Sequence, residues 1–231
     1  MNQHPLKRTI TWLVLTFALS WTMAFGFFAV GGRPYSASWF LMAAAYMFIP
    51  AAVTLVVEKL FKKGEARSRL GISFRPNGWF LVGLLAPAGL ALLSAGLSLA
   101  QPGVTFADDP ESSNIFGFFG ATLPADRVAE LKRQLAMLPV HPFWLVLVGG
   151  TLAGLTINGV AGFGEELGWR GFLQSEWKAL GFWKSSWLIG LIWGVWHAPI
   201  VLQGYNYPQQ FGLVHGSLLN LVCPASFDSY L

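Results

Sequence analysis

The stretch GWFLVGLLAPAGLALLSAGLSLA, from Gly78 to Ala100, runs for 23 residues without a charged side chain. A helix rises 1.5 Å per residue, so about 20 apolar residues cross the ~30 Å hydrocarbon of a bilayer. Ala37–Val57, Phe143–Val160 and Trp187–Leu202 come near the same standard, the last being short and interrupted by Pro199. At the N-terminus, Lys7 and Arg8 precede an apolar run from Thr9 to Val30. That outline resembles a secretory leader. Its apolar core, however, exceeds the ~7–15 residues of a leader and no clear small-residue cleavage site follows, so it reads as a first transmembrane helix. The expected fold is all-α: a polytopic transmembrane helical bundle of about five or six spans, read as a single membrane domain over residues 1–231.

Composition leads to the same class. Charged residues make up 11% of the chain against about 25% in soluble domains, and 54% of the residues are hydrophobic. So few charges cannot clothe a soluble globule of this length, and membrane lipid is the expected partner. The net charge of +4 does not imply nucleic acid, because the basic residues gather beside apolar spans instead of forming a stripe. Cys223 is the single cysteine, which excludes an internal disulfide and a thiolate metal cluster.

Loop charges set the expected orientation. Lys59, Lys62, Lys63, Arg67, Arg69 and Arg75 face only Glu58 and Glu65 between the second and third spans. The positive-inside rule puts this loop and the N-terminus in the cytoplasm, in the plasma membrane of a bacterium. Gln101–Pro142 would then be external. Within it Val128, Leu131, Leu135 and Leu138 recur at helical spacing opposite a charged face, as in an interfacial amphipathic helix over Ala125–Leu138. The next span returns the chain to the cytoplasmic side near Gly162.

Directly after that span stands AGFGEELGWRGFLQ, Ala161 to Gln174. On a helix Glu166 and Arg170 share a face and can form an ion pair, while Glu165 is rotated by about 100° and points elsewhere. A carboxylate left free in a poorly solvated place is a candidate general base. By spacing alone, a boundary helix whose charges meet lipid headgroups reads the same way. The following span carries Trp193-Gly-Val-Trp-His197-Ala-Pro199. Trp193 lies one turn before His197 on the same face, and Pro199 denies the Val195 carbonyl its i→i−4 bond, so a kink is expected near His197. A buried histidine bonded to a backbone carbonyl is the plainer reading, and the acidic pair one helix earlier weighs against it. His215 and Asn220 follow, five apart and about 140° apart on a helix.

Together, Glu165-Glu166-x-x-x-Arg170 followed by Trp193-x-x-x-His197 resembles the CPBP family of intramembrane proteases. That family includes the type II CAAX prenyl endopeptidases and relatives linked to bacteriocin self-immunity. The flanking residues from Ile157 and Asn158 to Leu173 keep the family's form, and the motif region runs from Phe143 to Tyr207. The resemblance implies that Glu165 activates the attacking water, Glu166 pairs with Arg170, and His197 positions or polarises water. His215 would assist and Asn220 would stabilise the oxyanion, with Asn158 and Trp193 in support. If a metal takes part, it would be a divalent ion such as zinc on Glu165, His197 and His215, although no His-Glu-x-x-His helix is present. The substrate would be a membrane-associated peptide or lipidated protein, prenylated if the likeness extends that far.

The sequence departs from the family pattern in three places. Trp193 stands where the family usually has phenylalanine. Leu219 occupies the fourth position after His215, with Asn220 one step late. Only 17 residues separate His197 from His215. These departures, with a tail over Leu221–Leu231 unlike a membrane helix, suggest a truncated or altered segment over 208–231. The alternative reading is a degenerate family member, or a non-enzymatic module or transporter using Glu165, Glu166 and His197 for protons or a cation. The absence of paired half-repeats in the sequence favours the protease.

Overall fold

Every regular element among the described residues is a helix, as the apolar runs require. The computed structural model describes residues 4–34, 36–61, 66–73, 75, 77–106 and 125–205. His215, Asn220 and Cys223 lie outside them, as do Lys62, Lys63, Glu65, Asp108, Asp109 and Glu111. In order come α1 (His4–Ala29), α2 (Ala37–Phe61), α3 (Ala66–Arg69), α4 (Gly78–Leu99), α5 (Ala125–Ala136), α6 (Pro142–Leu155) and α7 (Ile157–Glu166). A π-helical segment, Leu167–Leu173, continues from α7 into the turn Gln174–Glu176, and α8 (Phe182–Trp196) and α9 (Ala198–Val201) follow. α1, α2 and α4 are long and apolar enough to cross a membrane, and α6 with Ile157–Glu176 makes a fourth span if the broken pair is counted as one.

The expected span Trp187–Leu202 is divided, so among the described residues it does not appear as one long apolar helix. α8 stops at Trp196, and the Ile200 N–H bonds the His197 carbonyl at 3.1 Å in place of the Trp196 carbonyl. Pro199 has no N–H to offer, so the helical ladder cannot pass this point intact.

The described residues of 1–73 and 161–227 form one compact unit. Along α1, Arg8, Trp12, Thr16, Ser20 and Ala24 recur every four residues and are all buried, while Leu6, Ile10, Val14 and Leu19 are exposed on other faces. The buried stripe of α2 is Trp39, Met42, Tyr46, Ile49, Val53 and Val57. Trp12 fastens the π segment to both helices. Its Nε1 donates to Thr54 Oγ1 at 2.8 Å, and its ring lies edge-on to Trp169 at 5.0 Å and stacks on Phe172 at 5.6 Å. Gly168 makes that fit possible: a Cβ there would lie 2.4 Å from Pro50 Cβ and 2.7 Å from the Trp12 ring.

At the Lys59 end of α2 the unit closes on charge. Arg8 bonds Glu58 at 2.6 Å and lies 3.2 Å from Glu176, and Arg69 also pairs with Glu58. Arg8 is fully buried, with its guanidinium 5.4 Å from the centre of the Phe172 ring.

The described residues of 74–160 belong to a second unit, in which α4 packs on α6. The Asn77 side chain accepts from the Trp79 and Phe80 N–H groups and so caps α4, and His141 Nδ1 accepts from Phe143 N at 3.2 Å at the start of α6. No residue of α4 is buried and its surface is apolar, which suits a helix facing lipid. α5 lies within the expected Ala125–Leu138 and carries the pair Glu130–Arg133 at 2.7 Å.

Candidate active site

The backbone between Glu166 and Gln174 widens from α to π geometry, so that Gln174 N–H reaches Trp169 O. Extra-wide turns of this kind are rare and recur at functional sites. Here Gly168 admits Pro50 and Trp12, while Trp169, Phe172 and Leu173 are fully buried against the α1–α2 pair. The charged ends of the motif fall on different sides of this wedge.

Glu165 is 5% exposed. Its Oε1 accepts the indole N–H of Trp193, which reaches across from α8. Glu166 turns outward, and Arg170 Nη1 donates to its Oε1 at 2.6 Å with both side chains roughly half-exposed, 48% and 46%. The four-residue spacing therefore yields an ion pair at the protein surface. The Arg170 guanidinium also lies 5.4 Å from the centre of the Trp193 ring.

His197 follows the last residue of α8. Its ring is edge-on to Trp193 at 4.8 Å and to Trp196 at 4.7 Å, and its Nδ1 is 2.9 Å from the Trp193 carbonyl. A carbonyl only accepts, so Nδ1 carries the proton in this bond, and a neutral ring then keeps Nε2 as its acceptor. The plainer reading of this histidine, satisfaction by a backbone carbonyl, thus holds for one nitrogen and leaves the other for chemistry.

Sequence reasoning missed two groups that fix this end of α8. Released by the broken ladder, the Trp196 carbonyl accepts from Tyr46 Oη at 2.6 Å and from Trp21 Nε1 at 3.2 Å. The Tyr46 ring packs on Trp196 at 4.4 Å. A hydroxyl-bearing aromatic one turn before Pro50 in an apolar helix was the available signal.

Among the sequence-predicted residues, then, Glu165, Glu166, Arg170, Trp193 and His197 gather in one unit. Asn158 lies in the first turn of α7 and is exposed. His215 and Asn220 lie outside the described residues. No group of three His, Cys, Asp or Glu side chains able to hold a metal ion occurs among the described residues. A metal on Glu165 and His197 would therefore need His215 or another residue beyond them.

Residues 139–226 match the model of a family described as type II CAAX prenyl endopeptidase Rce1-like. The match agrees with the CPBP resemblance. It starts before Phe143 and runs past Tyr207 across the positions of His215 and Asn220. No curated protein and no solved structure matches the chain. The apolar helices and the family match together indicate an integral membrane protein.

Proposed function

We propose that this chain is an intramembrane endopeptidase that hydrolyses membrane-associated peptides with a water activated by Glu165. One observation carries the reading: Trp193 touches both Glu165 and His197, so the two motifs, 28 residues apart between Glu165 and Trp193, meet on one side chain. That meeting occurs within the segment that matches a prenyl endopeptidase family. Glu165 takes a proton from water, the hydroxide adds to the scissile carbonyl, and the proton passes to the departing amine as the C–N bond breaks. His197 presents Nε2 to the water or to the developing tetrahedral centre. Asn220 is the proposed oxyanion donor and His215 the proposed second histidine, by resemblance.

The substrate class follows from the family and the bilayer: a peptide held at the membrane, with prenylated C-terminal cysteines as the first to try. Activity is expected at the cytoplasmic face of a bacterial plasma membrane, with the N-terminus on that side, because the basic loop residues lie there by the positive-inside rule. The deciding experiment is cleavage of fluorogenic lipidated peptides by the full chain reconstituted in vesicles, with a chelator titration alongside. Cleavage abolished in Glu165→Gln supports the reading, and chelator sensitivity restored by zinc would add a metal to it. Full activity in Glu165→Gln would sink the assignment of the base. A folded but inert unmutated chain would point to a degenerate member or a non-enzymatic module.

A further inference from the structure

The geometry points to Trp193 as a positioning residue that fixes the Glu165 carboxylate and couples it to the Glu166–Arg170 pair at the surface. This deepens the endopeptidase reading and rests on it for its effect on rate. Three partners meet on this one residue. Its indole N–H donates to Glu165 Oε1, its ring face receives the Arg170 guanidinium at 5.4 Å, and His197 lies T-shaped to the ring at 4.8 Å with its Nδ1 2.9 Å from the Trp193 backbone carbonyl.

Each contact has a distinct physical consequence. A buried carboxylate without a donor is oriented by packing alone, and an N–H directed at one oxygen sets which oxygen is left to face water. The cation over the ring draws electron density from the indole and makes its N–H a stronger donor. Arg170 is itself held by Glu166 at 2.6 Å, so the surface pair fixes where that cation sits. Phenylalanine could supply the ring contacts with Arg170 and His197 but not the N–H. The indole is thus the link between a half-exposed ion pair and a buried base. It turns two adjacent glutamates into one arrangement although they point to different sides of the helix.

The test reads the hydrogen bond itself as well as the rate. In full-length protein in nanodiscs, labelled with ¹⁵N-indole tryptophan, the Trp193 Nε1–H resonance is identified by its loss in Trp193→Phe. It is expected to lie downfield of the other indoles, to exchange slowly with water, and to move upfield in Glu165→Gln more than any other indole signal. In the peptide-cleavage assay, Trp193→Phe keeps the ring and is expected to lower kcat by about 10–10²-fold, the worth of one hydrogen bond to a charged group, with KM little changed. If Trp193→Phe fails to fold, β-(3-benzothienyl)alanine at position 193 removes the N–H while keeping the shape of the indole and serves both measurements. An indole signal that ignores Glu165→Gln, or a kcat unchanged by loss of the N–H, overturns the proposal. If the unmutated protein cleaves nothing, the endopeptidase reading fails, while the resonance still decides whether Trp193 holds Glu165.

Discussion

Glu165 is buried against α8, whereas Glu166, the next residue, lies at the surface beside Arg170. Neutralising the first with the isosteric Glu165→Gln should lower peptide cleavage by about 10²–10⁴-fold, the usual worth of general-base catalysis, while the melting temperature in detergent stays close to that of the parent. His197→Ala should do comparable damage, because Nε2 has no substitute in alanine. The Glu166–Arg170 pairing was legible from spacing, since residues four apart share a helix face. Its exposure was not, because burial depends on which side of the π segment meets α1 and α2. A pair at the surface contributes about 0–1 kcal/mol, not the ~3–5 kcal/mol lost when a buried pair is broken. Arg170→Ala should therefore leave the melting temperature within a few degrees of the parent, as read by scanning fluorimetry.

At the scale of elements, the hydropathy runs located α1, α2, α4 and α6 because each is long and nearly free of charge. The break after α6 at Thr156 and the π segment were not legible. Nothing local in Leu167–Leu173 demands five-residue hydrogen bonding, and the close partner of Gly168 within it is Pro50 of α2, far away in the chain, which takes the place that a side chain there would fill. Gly168→Ala forces its Cβ into Pro50 and Trp12 and should destabilise by about 1–3 kcal/mol, the range for overpacking. Gly190→Ala on α8 is the matched control: its Cβ would meet nothing within 4 Å, and replacing a mid-helix glycine with alanine gains about 0.5–1 kcal/mol. Thermal melts of the two variants should move in opposite directions. The split of the last expected span was partly legible, since Pro199 stood in plain view, but the partners of the freed Trp196 carbonyl come from α1 and α2.

Across the whole molecule, topology and the buried charges are the properties to test. With Cys223 replaced, a cysteine at the exposed Ser68 should react with a membrane-impermeant maleimide only after cells are opened, because the basic loop is expected inside. Labelling from outside intact cells would reverse the orientation. Within the unit that holds the site, Arg8 joins α1 to Glu58 on α2 and to Glu176 beyond the π segment. Arg8→Ala leaves two buried carboxylates short of a partner and should lose about 3–5 kcal/mol, far more than Arg170→Ala, with a matching drop in detergent melting temperature. That cluster could not be read from sequence, because its members stand far apart in the chain and each looks like an ordinary loop-flanking charge.

The separation of those charges also dictates a schedule for synthesis. Arg8 emerges from the ribosome 168 residues before Glu176 (176 − 8 = 168), which at about 5–20 residues per second leaves roughly 8–34 s between them. For the first part of that interval neither carboxylate is available to Arg8, and once Glu58 has been made it is the one of the two that can pair with it. The second contact of Arg8 can form only after the π segment has been translated, so the native seat of α1 is completed by residues that follow Glu165. A nascent chain stalled before Glu176 therefore carries Arg8 with one of its two carboxylate partners still missing.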